Sequence, residues 1–163
     1  MARADLGDLI VGEHRAIDEI LALLATERQD RFGLAHRLID ELAAHIGAGQ
    51  QVLYPALRDV VPGGIEMAAD AQRGHRRIRV ALEALAGSHP GEPGFEDALV
   101  VVTAEVAAHV PVEEGSVGPA LRTVIGSDKM AELGGIYAQV KEAIPSGLQG
   151  FAPDMPTPRF RAW

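Results

Sequence analysis

A repeated pattern limits what this chain can fold into more than any other feature. Residues 14–25 match residues 75–86 at six of twelve positions, with His14 falling on His75 at an offset of 61. Residues 39–61 match residues 103–125 at nine of 23 positions, with His45 falling on His109 at an offset of 64. Both copies of the second segment carry the run Pro-Ala-Leu-Arg, at 55–58 and at 119–122. Chance gives about one or two identities in such windows of an alanine-rich chain. Two recurring segments of this kind form one supersecondary unit used twice, and the apolar spacing says which unit. Ile10, His14, Ile17, Leu21 and Leu24 recur at three- and four-residue intervals, on one face of a helix. The expected fold is therefore all-α: an up-down-up-down four-helix bundle made from a duplicated helical hairpin.

Breakers and apolar faces place the elements. The first helix is expected over about 5–26 and the second over about 30–61, with Leu38, Leu42, His45, Val52, Leu53 and Ala56 inward. Pro55 should kink the second helix, and Pro62-Gly63-Gly64 should end it. The third spans about 65–86, the breaker-rich loop 87–94 follows, and the fourth runs over about 95–125. A shorter fifth helix, about 128–144, is weakened by Gly134 and Gly135, each about 1 kcal/mol worse than alanine in a helix. Residues 1–145 are read as the bundle with its fifth helix. Residues 146–163 are read as a proline-rich extended tail, either mobile or packed back through Phe151, Phe160 and Trp163.

Composition narrows the function. With 163 residues, 47% of them hydrophobic, the chain suits one domain with a real core. Lys and Arg total 15 against 23 Asp and Glu, for a formal net charge of −8 without a basic run, so neither nucleic acid nor an anionic membrane is the expected partner. The absence of cysteine removes disulfides, thiolate metal sites and cysteine nucleophiles, and agrees with a reducing cytoplasm. The first residues lack the pattern of a signal peptide, and no run reaches the roughly 18 apolar residues of a membrane span. A cytoplasmic protein is expected; nothing here sets an oligomeric state.

The four repeat-matched histidines should meet. In an antiparallel pair two residues lie level when each is equally far from the connecting loop, and each residue of mismatch displaces them by about 1.5 Å. His14 lies about 12 residues before the end of its helix and His45 about 15 after the start of the next; His75 and His109 lie about 11 and 14 from theirs. Each imidazole is on an apolar face, so all four converge at one level, the way bundle cores build metal sites. His109 and Glu113 are spaced i, i+4, which sets imidazole and carboxylate one turn apart on one face. Imidazole with carboxylate suits iron, and also zinc or manganese. The first hairpin differs: Gly49 aligns with Glu113 and Gln50 with Glu114.

Taken together, His14, then His45 with Val52-Leu53-Tyr54-Pro55-Ala56-Leu57, then His75, then His109 with Glu113-Glu114 and Gly118-Pro119-Ala120-Leu121, resembles the hemerythrin-like HHE cation-binding domain over roughly residues 5–145. The resemblance implies an up-down-up-down bundle with a non-haem diiron centre bridged by two carboxylates, one from each HxxxE, and a function in handling dioxygen, nitric oxide, peroxide or iron itself. His14, His45, His75, His109 and Glu113 match its ligand positions, and Gly49 does not. The expectation is an iron site of one or two ions, asymmetric if it holds two.

Other residues have plainer readings beside the functional ones. A lone inward histidine is usually a satisfied core residue, whereas four without partners would be costly. Glu41 and Glu105 precede the repeat histidines by one turn, either to orient an imidazole or as solvated flanks. Glu114 is read as surface in preference to ligand, His36 and His89 as exposed, and Arg15 and Arg76 as surface ion-pair partners. Pro111 should distort the fourth helix, and Tyr54 and Tyr137 are read as packing residues in preference to site residues. Two other classes of function remain: a bundle that has lost its metal and acts as a regulatory or interaction module, and a mononuclear, non-iron or haem-type binder in the same cavity.

Overall fold

The computed structural model describes residues 4–151, and among these the regular structure is helical. Helix α1 (Leu6–Thr26) is capped by Asp5, whose carboxylate accepts from the Asp8 N–H at 3.0 Å. Helix α2 (Arg31–Ala48) continues through a π-helical turn, Gly49–Leu53, into α3 (Tyr54–Val60). After the turn at Gly63, α4 (Gly64–Ala86) leads through a short loop to α5 (Pro93–Val112). A second π-helical turn, Glu113–Val117, joins α5 to α6 (Gly118–Ala143). Gly126, at φ 75° and ψ 173°, breaks α6 in a conformation that only glycine adopts easily, and so separates the fourth long helix from the fifth. Along the bundle α1 packs on α2, α2 on α4 and α4 on α5, while the end of α6 lies against α1 and α2. None of the described helices is long and apolar enough to cross a membrane.

The helices fall where periodicity and breakers place them, with two differences of physical interest. The first concerns proline. A proline in a helix lacks one N–H and its ring strikes the carbonyl four residues earlier. Here each relevant proline is preceded by a π-turn: the Tyr54 N–H donates to the Gly49 carbonyl and the Gly118 N–H to the Glu113 carbonyl, five residues back, and Pro55 and Pro119 come next. The expected kink at Pro55 is thus absorbed by one extra residue in the preceding turn. Pro111 stays inside α5, two residues before the second π-turn. The second difference is at the tail. Residues 147–151 are not extended but form a 3-10 turn on α2, tied by the Gly147 N–H donating to Asp40 at 2.6 Å. Gly150 is buried against Ala43, too close for any side chain. The expected packing through Phe160 and Trp163, and through the Phe151 side chain, lies outside the described residues.

Two apolar clusters fill the interior. One holds Ile17, Leu24, Leu38, Leu42, Ile78, Leu82, Phe95 and Val102 with their neighbours, and the other Leu6, Ile10, Val52, Leu57, Ala71, Leu121, Met130 and Leu133 with theirs. On α1, α2, α4 and α5 the repeat histidine falls near the boundary between the two. At the far end of the first cluster a buried Arg31 closes the bundle: it donates to the Leu24 carbonyl at 3.0 Å, pairs with Glu96 and lies 5.1 Å from the centre of the Phe95 ring. Buried charge of this kind is tolerated because both terminal nitrogens are paired, while the buried Nε makes no hydrogen bond.

The two glycines that weaken the fifth helix in the sequence are not equivalent. A Cβ at Gly134 would lie 2.6 Å from the Ala4 carbonyl oxygen and 3.0 Å from the Asp5 carbonyl carbon, so glycine there lets the fifth helix touch the start of α1 backbone to backbone. A Cβ at Gly135 meets nothing within 4 Å. Gly135→Ala should therefore stabilise the protein by about 1 kcal/mol through helix propensity, and Gly134→Ala should destabilise it by about 1–3 kcal/mol through overpacking. Urea denaturation of the two variants beside the parent checks both signs.

Candidate metal centre

Four helices each deliver one imidazole to the layer between the apolar clusters. His14 comes from α1, His45 from α2, His75 from α4 and His109 from α5, and all four are at most 3% exposed. Their rings gather closely: His14 with His45 and His45 with His75 meet edge to face, at 4.9 and 5.4 Å between centroids, and His75 and His109 are tilted at 4.3 Å. Glu113, 1% exposed, reaches into their midst from the first position of the second π-turn. Its two oxygens divide the histidines between them. Oε2 lies 3.2 Å from His14 Nε2 and 3.3 Å from His45 Nε2, both of the first hairpin. Oε1 lies 3.3 Å from His109 Nε2 and 3.5 Å from His75 Nε2, both of the second. All five residues expected from the sequence are thus brought together. His36 and His89 are exposed, as expected, with His36 meeting the Phe32 ring edge to face at 4.4 Å.

The outer nitrogens of the first pair are held by carboxylates. His14 Nδ1 lies 2.8 Å from Glu114 and His45 Nδ1 lies 2.9 Å from Glu13. An Nδ1–H that donates outward leaves the Nε2 lone pair facing the centre, which is how metal-bound histidines are oriented. Glu13 is in turn held by the Tyr137 hydroxyl at 2.7 Å and by Lys141 at 3.0 Å, both from the fifth helix. The orienting role considered for Glu41 and Glu105 is therefore taken by Glu13 and Glu114. Glu41 pairs with Lys141 and Glu105 with Arg77, and neither touches a histidine. Glu114, a third exposed, is neither plain surface nor a member of the inner cluster.

The space in front of Gly49 is filled. A Cβ there would lie 3.4 Å from His75 Cε1 and 3.7 Å from the Tyr54 ring, so position 49 does face the centre. Tyr54 occupies the place a longer side chain would take. It is fully buried, with its hydroxyl donating to Glu113 Oε1 at 2.5 Å and lying 3.2 Å from both ring nitrogens of His75. Tyr54 and Tyr137 thus belong to the site and are not packing residues. Helical spacing hid Tyr54, because five residues turn an α-helix through about 140° beyond a full revolution. The π-turn's i to i+5 hydrogen bond instead sets residue 54 almost over residue 49. Gly74 was also missed: a Cβ there would lie 2.9 Å from His109 Nδ1, so glycine makes room for that ring.

Charge and burial act against each other throughout this layer. Burial resists ionisation of Glu113, but His45 and the other imidazoles around it hold its carboxyl well below the usual range. Burial likewise resists the His45 imidazolium, but Glu113 and Glu13 on its two sides outweigh this and raise its pKa to about 10. His75, buried beside His109, is pushed well below the usual histidine value. Burial, with Glu113 near Tyr54 and Glu13 near Tyr137, keeps both phenols protonated.

Several atoms of the layer have no hydrogen bond: His14 Nε2, His45 Nε2, both ring nitrogens of His109, and Glu113 Oε2, all buried. The contacts to Glu113 given above are close in distance without being directed as hydrogen bonds. Nitrogen lone pairs and carboxylate oxygens left unpaired in a dry interior are costly for a protein alone and are suited to a cation. Ligand atoms of His14, His45, His109 and Glu113 lie within 4.8 Å of one another, so the residues fit a metal. Residues 5–121 match the hemerythrin HHE cation-binding domain. The chain belongs to this family.

Two similar proteins bear on the comparison. A DNA nickase from Nostoc sp. (strain PCC 7120 / SAG 25.82 / UTEX 2576) is 25% identical over 154 residues, which cover 91% of this chain and 42% of that protein. The chain thus spans less than half the length of that curated relative. The crystal structure of a hemerythrin HHE cation-binding domain-containing protein, the Rv2633c homologue from Mycobacterium kansasii, superposes with a TM-score of 0.75 at 24% identity, covering 91% of this chain and 89% of that one. At that identity the likeness is one of fold.

Protein stripped of metal by chelator should show the His45 ion pair in its pH dependence. A histidine whose folded pKa is raised contributes stability that is fully present below its unfolded value, here 6.5, and is lost as pH rises through the folded value, here about 10. His75, shifted the other way, acts below pH 6.5 and leaves that window alone. The melting temperature of the stripped protein should therefore fall between pH 6.5 and 10, and His45→Gln should flatten the fall. An equally steep fall in the variant would show that another group carries it.

Proposed function

We propose that this hemerythrin HHE protein holds two iron ions in the buried layer and uses them to bind or turn over dioxygen, nitric oxide or peroxide. What supports two ions is the division of Glu113: one oxygen faces the histidine pair of the first hairpin and the other faces that of the second. His14 and His45 would hold one ion, His75 and His109 the other, with Glu113 shared between them. A mixed imidazole and carboxylate set suits iron, while zinc and manganese fit the same donors. Iron would supply an open coordination position and a redox couple for a small oxygen or nitrogen ligand.

The chain's own residues set the conditions for that chemistry. The two apolar clusters keep bulk water out of the layer. Glu13 and Glu114 fix the imidazoles of the first pair, and Tyr54 stands where the second bridging carboxylate of the family would be expected. Its O–H can donate to Glu113 or to a ligand bound beside His75, which makes the two halves of the centre chemically unlike. The two π-turns begin at Gly49 and Glu113, the same 64-residue offset that relates His45 to His109, which supports reading the hairpins as copies of one unit. The acidic surface, −8 overall, gives no support for DNA as a substrate, and a cytoplasmic location agrees with the lack of cysteine.

A mononuclear centre is the second reading. It is favoured by the closeness of ligand atoms from His14, His45, His109 and Glu113, a set without His75. Metal analysis with optical spectroscopy separates the two. The dinuclear reading expects about two irons per chain, falling toward one in His75→Ala; the mononuclear reading expects one iron in both proteins. In either case His45→Ala and His109→Ala should lower metal content and reduce the melting temperature by about 5–10 °C, because a ligand that binds only the folded state stabilises it. His36→Ala and His89→Ala should do neither. Unchanged metal content in both ligand variants would overturn the assignment.

A further inference from the structure

We infer that small uncharged molecules reach the centre through the crevice between α1 and the second π-turn, an inference that rests on the reading of this layer as a metal site. Three cavities bear on access. The largest, about 730 Å³ between α4 and α5, is lined by none of the five clustered residues. The second, about 630 Å³ between α1, α2 and the fifth helix, reaches Glu13 and Tyr137. Those residues hold the outer nitrogen of His45, the wrong side of the ring for a metal ligand, and Lys141 lies across the approach by pairing with Glu13. The third, about 240 Å³, is lined by Glu113 itself.

The crevice has the form of an access route. Ile10 and Val11 of α1 and Pro119 of α6 line it together with the buried Glu113. The residue whose carboxylate all four imidazoles surround thus itself lines the crevice, and its buried Oε2 makes no hydrogen bond. At about 240 Å³ the crevice is smaller than the ~300–1,000 Å³ of ordinary ligand pockets, and so admits molecules of a few heavy atoms. Its rim carries both signs, with Arg122 bound to Asp5 at 2.7 and 2.9 Å and with Asp8 and Glu114 beside it, so no free cation draws in anions. The wall that must yield is a π-turn, whose irregular hydrogen bonding makes it easier to open than the flanking α-helix. A Cβ at its Gly115 would meet nothing within 4 Å, so nothing packs on the turn at that position.

Val11 is half-buried on the wall and three residues from His14, which makes it the position to vary. The test measures nitric oxide association with the iron-loaded protein by stopped flow. Val11→Trp should slow association roughly tenfold, Val11→Ala should speed it, and Ala16→Trp, in the second cavity, should leave it unchanged, with iron content equal in all four proteins. Rates that ignore Val11, or that respond to Ala16 instead, overturn the route. Protein stripped of metal gives an independent reading: crystals under xenon pressure should show xenon between Ile10, Val11 and Pro119, and Val11→Trp should abolish it. No xenon there overturns the route even if iron binds; xenon there with no iron bound in the parent protein would uphold the crevice and sink the metal reading.

Discussion

Taking four imidazoles and a carboxylate out of water in a single layer is the constraint around which the rest of the molecule is arranged. Each buried polar group left without a partner costs on the order of 1–3 kcal/mol, and more if charged. The layer contains too many such atoms for the protein to satisfy alone. Apolar clusters above and below keep the layer from being solvated on those two sides. Carboxylates at 13 and 114 satisfy the outward nitrogens of two rings, and the inward atoms face each other around Glu113. That arrangement is costly as a protein interior and well formed as a cation site, which is why the site and the fold are parts of one problem.

The two π-turns decide how the hairpins differ. Positions 49 and 113 begin them, and positions 54 and 118 follow them, just before proline. In the first hairpin this pair is glycine and tyrosine; in the second it is glutamate and glycine. Each hairpin therefore sends one side chain from its π-turn region toward the centre and leaves the other position bare. Tyr54 and Glu113 consequently meet hydroxyl to carboxylate, where two facing glutamates would bring like charges together. A tyrosine kept protonated by burial is a hydrogen-bond donor, so the two sides of the Glu113 carboxylate meet different neighbours.

Much of this was legible in the sequence, for identifiable reasons. The helix ends follow Pro62-Gly63 and the Gly87–Gly94 loop, where the backbone has few alternatives. The histidines could be placed level because antiparallel helices rise by the same step per residue. Residues acting through altered geometry were not legible. Tyr54 is brought inward by a π-turn that shifts the helical phase, Gly74 and Gly134 matter for what approaches them, and Tyr137 with Lys141 come from a fifth helix outside the repeat. Glu13 adjoins His14, and one residue turns an α-helix by about 100°, so helical spacing gave no reason to bring it to the site. In space the fifth helix covers that surface, and Glu13 turns to His45.

The central claim is that Glu113 stands between two metal positions, each held by the histidine pair of one hairpin. Anomalous diffraction from crystals of the iron-loaded protein, collected on both sides of the iron absorption edge, tests it most directly. The account predicts two iron peaks, one beside His14 and His45 and one beside His75 and His109, with the Glu113 carboxylate between them. A single peak, or iron bound away from this layer, would contradict it.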